Sequence, residues 1–234
     1  MKKRDSRAAI LNDTTTRRPA KLRGRRRRNP TLAQDTILQV AREHFVSHGL
    51  SGGRIDEIAA ASGYSKAMIY HYYGSKEFLY RAVLEDAYRR DITPRKDIDI
   101  DAVGPVVALE RFVRDGADAI RKDPSILNLL AIENLHHAKH LEGSALPTTT
   151  YITLKHQLQH VLNEGVRRGV FRDGLDVTTL YLLLSSIIFH AVSNRHTLSI
   201  ILDTDITSDS FMSRYVDSAV DMVVRYCLKA PPVP

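Results

Sequence analysis

Two short helical segments separated by a glycine-containing turn constrain the fold of this chain more than any other feature. Residues 54–76 read RIDEIAAASGYSKAMIYHYYGSK. Apolar residues at helical spacing predict one helix over residues 54–61. Ser65 is placed to cap a second helix that runs to Tyr73, and the tripeptide Ser-Gly-Tyr forms the turn between the two. Two short helices joined by such a turn are the sequence form of a helix-turn-helix.

Helical spacing continues on both sides of this unit, so we predict an all-α chain. A capping box, Thr31-Leu32-Ala33-Gln34, is expected to start a first helix that Gly49 ends. Further helices are predicted over residues 76–90, 106–121, 125–141, 151–168, 176–202 and 209–228. No strand pattern of comparable strength is present in the sequence.

The positive charge of the chain is concentrated at its N-terminus. Residues 1–30 hold twelve lysines and arginines against two aspartates, a net charge of +10, whereas the whole chain carries +7 and the remainder therefore −3. Such a segment cannot bury enough apolar surface to fold alone, and we expect it to be disordered until it meets a polyanion. Nucleic acid is the natural partner, because basic side chains that neutralise phosphates release counterions. We predict DNA contact by the four arginines just before the first helix, which are Arg25, Arg26, Arg27 and Arg28. For the first twenty residues, a solubilising tail or a wrongly assigned start codon is an equal alternative.

The second short helix carries an unusual cluster of tyrosines. Ile69 and Tyr73 lie four residues apart and are expected to face inward, while the outer face holds Lys66, Ala67, Tyr70 and His71. In a helix-turn-helix the second helix lies in the major groove of DNA. Tyrosine hydroxyls and lysine ammonium groups are suitable partners for phosphates, so we predict phosphate contacts by Tyr70 and Lys76. The alternative is that tyrosines pack a three-helix core with only their hydroxyls exposed, which we expect of Tyr73 and partly of Tyr72.

The stretch RIDEIAAASGYSKAMIYHYYGSKEFLYRAVL resembles the helix-turn-helix of the TetR family of transcriptional regulators. The shared elements, in the family's order and spacing, are Ile58-Ala59, Gly63-Tyr64-Ser65, Ile69-Tyr70, Tyr72-Tyr73, Lys76 and Leu79. The resemblance covers roughly residues 33–80, about a fifth of the chain. It implies that Tyr70, Tyr72 and Lys76 hold phosphates and that side chains near 66–68 and 71 reach bases. The full set of DNA contacts predicted in this unit is Arg54, Ser65, Lys66, Ala67, Met68, Tyr70, His71, Tyr72 and Lys76.

Two residues depart from the family's pattern. Gly53 stands where a threonine usually caps the second helix, and it is followed by Arg54, whose place at the helix start suits a backbone contact. Tyr73 replaces the usual phenylalanine, so its hydroxyl needs a partner or water. Lys66 or His71 could bond to guanine, whereas Ala67 and Met68 offer only apolar contact, and these four side chains predict no operator sequence.

The last two helices of the chain are predicted to form a dimer interface. Both are strongly apolar on one face, and two-fold pairing in a four-helix arrangement would bury both faces. Burial within the monomer is the alternative. The resemblance implies homodimers joined by their last two helices, and two recognition helices about one DNA turn apart can read a palindromic operator in double-stranded DNA.

The C-terminal half is expected to hold a small-molecule effector. The segments IENLHHAKHL, GVFRDGLD and SNRHT look similar to the ligand-sensing halves of some TetR-family members. A few polar groups among apolar neighbours are what such a site requires, and the candidates are Glu133, Asn134, His137, His190 and Asn194. Histidines also stand four apart at His136 and His140 and at His156 and His160, a spacing that can ligate a metal. We favour ordinary polar surface or pocket-wall roles for them, and we predict neither a metal nor a cofactor.

These observations divide the chain into a basic arm (1–30), a helix-turn-helix DNA-binding domain (31–78) and a helical ligand-binding and dimerisation domain (79–234). The expected function is that of a ligand-responsive, DNA-binding repressor of transcription. We expect it in the cytoplasm, because the single cysteine, Cys227, suits a reducing compartment and no secretory signal is present. The apolar run 180–192 is too short to span a membrane. A nonspecific DNA-binding protein driven by the basic arm is the alternative. A helical enzyme is a further one, although no nucleophile-elbow, phosphate-loop or metalloprotease motif is present in the sequence.

Overall fold

The computed structural model describes residues 30–92 and 98–229, and these residues are almost entirely helical. The helices are α1 (Pro30–Gly52), α2 (Ile55–Ser62), α3 (Lys66–Tyr73), α4 (Lys76–Ile92), α5 (Ile100–Val103), α6 (Pro105–Lys122), α7 (Ser125–Leu135), α8 (Leu146–Arg167), α9 (Val177–Ser193), α10 (Arg195–Ile201) and α11 (Asp209–Cys227), with a 3-10 turn at Lys139–Leu141. One isolated β-bridge joins Phe171 to Leu228. The predicted all-α fold is confirmed. Arg25, Arg26, Arg27 and Arg28 lie outside the described residues.

Helices α1 to α3 and the first half of α4 pack around one apolar core. Its buried members include Ile37, Phe45, Ile58, Ile69 and Leu79. The predicted capping box is wrong, because α1 begins at Pro30, which suits a first helical turn, and Thr31 already lies inside the helix. Gly49 adopts a left-handed φ of 66° and bends the chain, but one more helical turn follows it.

A second apolar core lies between α6, α8, α9 and α11, with Leu109, Leu158, Leu180 and Val220 among its buried side chains. Two predicted helices are wrong in this half. The helix predicted over 125–141 ends at Leu135, and His137 and Ala138 then turn the chain with φ angles of 55° and 60°. The helix predicted over 176–202 is divided at Asn194 into α9 and α10, which are bent by 73°.

No helix of the described ranges is, on its own, long and apolar enough to cross a membrane. Taken together, α9 and α10 are long and apolar enough by length and composition, but they form a bent pair.

The two cores meet along α4 and α7. Helix α4 packs against α1 on one side and α8 on the other, and Leu129 of α7 is buried in the N-terminal core. Arg42 of α1 reaches the start of α7, where Nη2 lies 2.5 Å from Asp123 Oδ2 and Nε donates to Ser125 Oγ at 3.1 Å. The predicted boundary between residues 78 and 79 therefore falls inside a helix that serves both units, and the division stays a prediction.

Candidate nucleic-acid interface

The start of α3 is set by residues whose backbone preferences are strong. Gly63 adopts a left-handed φ of 73° and ends α2. Ser65 then caps α3 in an extended conformation, and its Oγ accepts a hydrogen bond from the backbone N of Met68 at 3.3 Å. The predicted helix-turn-helix, with Ser65 as the cap and Tyr73 as the last helical residue, is confirmed.

Helix α3 buries one side and presents the other to solvent. Ile69 is 1% exposed and belongs to the N-terminal core. The predicted outer face is solvent-exposed at Lys66, Ala67, Tyr70 and His71. Met68 is half-buried, and Tyr72 packs against the core with its ring centroid 5.4 Å from that of His71. The structure thus places four of the predicted contact residues on an accessible face and two at its edge.

An open groove beside α3 brings three predicted phosphate contacts together. It is lined by Arg54, Ile55, Asp56, Tyr70, Ser75, Lys76 and Glu77. Lys76 Nζ donates to the backbone oxygen of Gly53 at 3.2 Å, which uses one of its three donors and leaves two. Tyr70 is 46% exposed, and the Arg54 side chain lies 3.4 Å from Glu57 Oε1. The groove therefore combines two cations, Arg54 and Lys76, with the hydroxyl groups of Tyr70 and Ser75, and it also holds two carboxylates.

Acidic residues stand close to these cations. Lys66 Nζ forms an ion pair with Asp56 Oδ1, and both side chains are more than half exposed. Asp56 and Glu57 occupy the first turn of α2. A phosphate that approaches Lys66 would have to replace the Asp56 carboxylate, so this pair lowers the positive potential that α3 presents.

Tyr73, the departure from the family's phenylalanine, has a partner in the protein. Its hydroxyl donates to the backbone oxygen of Gln34 at 2.9 Å and so joins the end of α3 to the start of α1. Burial, followed by the nearby carboxylates of Asp35 and Asp86, raises the pKa of Tyr73 to about 12. The phenol therefore remains a donor at neutral pH.

His44 is a structural residue of this surface that the sequence analysis did not identify. Its Nε2 accepts a hydrogen bond from the backbone N of Arg54 at 3.0 Å, which fixes the start of α2 against α1. Burial, and then the neighbouring His48, lower the pKa of His44, while Glu57 acts in the opposite direction. The helical spacing of His44 indicates only that it faces inward. It does not show that this histidine accepts a hydrogen bond from a backbone group ten residues away.

The second departure, Gly53, has a steric reason. A Cβ at this position would lie 2.7 Å from Cδ1 of Phe45, a buried ring of the N-terminal core. Such a separation is too short for two carbon atoms, so the residue between α1 and α2 must be small. Arg54, and not Gly53, is the N-cap of α2, and it makes no side-chain capping hydrogen bond.

The five predicted ligand contacts do not converge. Glu133 is 1% exposed, yet its carboxylate is directed to the boundary between the units, where it accepts from the backbone N of His140 at 2.7 Å. Asn134 donates to its own helix at Leu130, and His137 is exposed in the left-handed turn. His190 and Asn194 are exposed at the end of α9. Ligand contact by any of them stays a prediction, without a shared cavity to support it.

A cavity of about 180 Å³ lies instead between α6, α7 and α9. It is lined by Phe112, Val113, Gly116, Ala117, Ile120, Ile126, Leu127, Leu130, Tyr181, Leu184, Ser185, Ile188 and Phe189. None of these side chains is charged. The cavity is suited to a small apolar molecule.

The two predicted histidine pairs differ in setting. The helix that was to carry His136 and His140 ends before them, although their ring centroids lie 5.8 Å apart. His156 and His160 are exposed on α8. Across residues 30–92 and 98–229, no group of three or more histidine, cysteine, aspartate or glutamate side chains is arranged to hold a metal ion.

The last long helices leave apolar side chains exposed. Leu182 and Leu183 on α9 are 59% and 44% exposed, and Met222 and Tyr226 on α11 are 52% and 43% exposed. Tyr215 joins the two helices by donating to the backbone oxygen of Ile187 at 2.8 Å. Large apolar surfaces in water are characteristic of sites that contact another molecule.

Comparisons with known proteins agree with this architecture. Residues 37–83 match the family model of bacterial regulatory proteins of the tetR family, and residues 105–223 match that of the tetracyclin repressor-like C-terminal domain. The HTH-type transcriptional repressor NicS of Pseudomonas putida is 31% identical over 202 residues, which cover 86% of this chain and 95% of NicS. The HTH-type transcriptional repressor SCO4008 of Streptomyces coelicolor is 30% identical over 161 residues, covering 67% of this chain and 77% of that protein.

Solved structures share the fold at lower identity. The transcriptional regulator SCO4942 from Streptomyces coelicolor superposes with a TM-score of 0.63 at 22% identity, covering 86% of this chain and 99% of that one. A mutant of HlyIIR with a linker in place of one segment gives a TM-score of 0.62 at 21% identity, covering 87% and 100%. These likenesses extend over both units of the chain.

Proposed function

Because this chain belongs to the TetR family of transcriptional regulators, we propose that it is a homodimeric repressor that a small molecule releases from a palindromic operator. The observation that carries the proposal is the groove in which Arg54, Tyr70 and Lys76 lie together beside α3. With α3 in the major groove, these side chains would meet phosphates. Lys66, Ala67 and His71 would face the base edges, and the protein would act in the cytoplasm.

The dimer is proposed to form through α9 and α11. Their exposed apolar side chains, Leu182, Leu183, Met222 and Tyr226, would be buried against the same surface of a second copy. Tyr215 holds the two helices in fixed register, which favours a four-helix interface. Two copies of α3 could then contact successive major grooves on one side of the DNA.

The effector is proposed to bind in the cavity between α6, α7 and α9. Ile126, Leu127 and Leu130 of α7 line the cavity, while Leu129 of the same helix is buried in the N-terminal core. A molecule that moves α7 would therefore alter packing against the DNA-binding unit. By thermodynamic linkage, effector and operator would oppose each other's binding if they favour different arrangements.

The test is fluorescence anisotropy of the full-length protein on duplexes from the region upstream of its own gene, against scrambled duplexes. We expect a preference of about a thousandfold or more at physiological salt. Lys76→Ala should weaken binding about tenfold and reduce the salt slope by about one, because one phosphate contact is lost. Lys139→Ala, an exposed lysine outside the groove, is the matched control and should leave binding unchanged.

Removal of residues 1–30 separates this function from a nonspecific one. A specific repressor would bind more weakly after truncation but would keep its sequence preference. Equal binding to every duplex by the intact protein, with loss of all binding on truncation, would instead identify a nonspecific DNA-binding protein driven by its basic arm. If the operator does not lie upstream of the protein's own gene, selection from a pool of randomised duplexes measures the sequence preference instead.

A further inference from the structure

The chemistry of the cavity between α6, α7 and α9 narrows the class of molecule that it can hold. Three aromatic rings line it, those of Phe112, Tyr181 and Phe189, and aliphatic side chains form most of the remaining wall. No lysine, arginine, histidine, aspartate or glutamate is among the described residues that line it. An ionised carboxylate or ammonium group held against this wall would lose part of its hydration without gaining a counter-charge, which is unfavourable.

The size of the cavity sets a second limit on the ligand. The cavity volume is about 180 Å³, and an apolar cavity of about 150 Å³ is known to hold one benzene molecule. There is thus room for one six-membered ring with one or two small substituents. The three aromatic rings in the wall favour an aromatic ligand, since offset and edge-to-face contacts add to the burial of apolar area.

Two of the lining residues carry a side-chain oxygen, Tyr181 and Ser185, and the hydroxyl of Ser185 gives the cavity a polar preference. Ser185 Oγ donates its proton to the backbone oxygen of Tyr181 at 2.6 Å, within α9. That bond uses the hydroxyl proton and leaves the lone pairs of Oγ as acceptors. A ligand with one N–H or O–H group could therefore donate to Ser185.

A neighbouring cleft has the opposite character and provides a contrast. It lies at the ends of α6 and α9 and the start of α11, has a volume of about 360 Å³, and includes Arg121, Arg195, Asp118 and Asp209 in its wall. Its guanidinium groups already have protein partners: Arg121 pairs with Asp209 at 2.6 Å, and Arg195 donates to the backbone oxygen of Val192 at 2.8 Å. An anion bound in this cleft would have to compete with those partners.

We propose that the effector of this protein is a neutral monocyclic aromatic compound with one hydrogen-bond donor, held between α6, α7 and α9 with its donor on Ser185 Oγ. The inference rests on the proposed function, which places the effector in this cavity. It adds the ligand class, and it assigns to Ser185 the selection of a donor-bearing ring over a purely apolar one.

The experiment is a ligand-observed NMR titration of the full-length protein with phenol, toluene, benzoate and benzylammonium. Phenol and toluene are similar in size, and phenol is neutral at pH 7. We expect phenol to bind about fivefold more tightly than toluene because of one hydrogen bond, and both charged probes to bind at least about tenfold more weakly than phenol. Ser185→Ala should bind phenol and toluene equally.

Two further variants test the site itself. Ser186→Ala is the matched control, because Ser186 makes the same bond to its own helix, at Leu182, but on the exposed side of α9. It should behave as the wild type. Ala117→Leu places a larger side chain at a fully buried cavity position and should abolish binding of both neutral probes. Circular dichroism melts of each variant establish that it is folded.

Three outcomes would overturn the proposal: a charged probe that binds as tightly as phenol, phenol binding that survives in Ala117→Leu, or no binding of phenol at roughly 20 mM, well above the dissociation constant expected of such a ligand. DNA release is measured separately by anisotropy. Ser185-dependent phenol binding without release would support the ligand class and contradict the release step of the proposed function. Release by a charged compound that phenol does not displace would overturn the ligand class and leave the function in place.

Discussion

The DNA-binding surface and the cavity are held together by different kinds of contact. Around α3, hydrogen bonds to backbone groups join separate elements: Tyr73 to Gln34, Lys76 to Gly53, and the N–H of Arg54 to His44. Around the cavity, the contacts between α6, α7 and α9 are made by apolar side chains. Hydrogen bonds are directional, whereas apolar packing is not. We therefore expect the DNA-binding unit to keep a fixed geometry and the helices around the proposed effector cavity to be able to shift.

A change at the boundary between the two units should have the largest effect on stability. Glu133 is buried and accepts hydrogen bonds from both the backbone N and Nδ1 of His140. Glu133→Ala would leave these donors buried without an acceptor and remove the anchor of the left-handed turn, so we expect the free energy of unfolding to fall by about 3 kcal/mol. Urea denaturation followed by circular dichroism measures this loss.

Two variants control that measurement. Glu133→Gln keeps an oxygen for the backbone N of His140 and should lose only about half as much stability. Glu142→Ala removes an exposed carboxylate just beyond the same segment and should change the free energy of unfolding by less than about 0.5 kcal/mol. If Glu133→Ala unfolded at the same urea concentration as the wild type, the boundary would be as adaptable as the cavity.

We do not expect every part of the C-terminal unit to be able to shift, and a substitution of Gly165 tests this. A Cβ here would lie 2.5 Å from two atoms of the Phe171 ring, which is 2% exposed. Gly165→Ala should therefore lower the free energy of unfolding by about 2 kcal/mol, after a gain in helix propensity of about 1 kcal/mol is included.

Adding Phe171→Leu to Gly165→Ala gives a double-mutant cycle. Each change alone should destabilise the protein, but the pair should be less destabilising than their sum, because the smaller side chain relieves the clash. Strict additivity would show that the ring is not what requires glycine. Thermal denaturation of the wild type, the two single variants and the double variant measures the coupling between the two positions.

Tyr73→Phe tests one of the directional bonds of the DNA-binding unit. Loss of the hydroxyl leaves the Gln34 oxygen without this donor, and we expect the free energy of unfolding to fall by about 1 kcal/mol. The pKa of Tyr73 is raised in the folded state, so the stability linked to its protonated form is fully present below pH 10 and is lost as pH rises towards 12. The difference between wild type and Tyr73→Phe should shrink over that range. A constant difference would mean that the phenol does not ionise there.

The helix-turn-helix could be predicted from sequence because local signals mark each of its ends. Gly63 and Gly74 adopt left-handed φ angles, and Ser65 caps the helix between them. The exposed face of α3 followed from helical spacing alone. The bonds that orient it, such as that from Arg54 N to His44, join residues ten or more apart in sequence and have no local signature.

The ends of α7 and α9 could not be predicted, because tertiary contacts determine them. The chain turns at His137 and Ala138 with left-handed φ angles, which are uncommon for residues other than glycine, and the buried Glu133 carboxylate holds the turn. At the end of α9, Arg195 donates to the backbone oxygen of Val192 across the bend. A polar residue in an apolar helix looks the same in the sequence whether it lines a cavity, lies at the boundary between the units or is exposed. The sequence therefore could not show which of the five ligand candidates line a cavity.

The smallest expected effect concerns the charge balance of the DNA-binding surface. Asp56 pairs with Lys66 at the start of α3 and lies in the groove that also holds Arg54 and Lys76. Asp56→Asn would free Lys66 for a phosphate and remove a repulsive charge. We expect operator affinity to rise about threefold at physiological salt and by more at lower salt, where screening is weaker. Anisotropy at several salt concentrations measures both.

Asp217→Asn makes the same charge change at an exposed ion pair with Arg114, in the C-terminal unit. Because its distance from bound DNA would exceed the screening length, its effect on affinity should be much smaller. An equal gain from both variants would mean that net charge, and not the arrangement around α3, limits binding. A loss of affinity in Asp56→Asn would mean instead that the ion pair orients Lys66 for DNA, which would extend the fixed geometry of this unit to its exposed side chains.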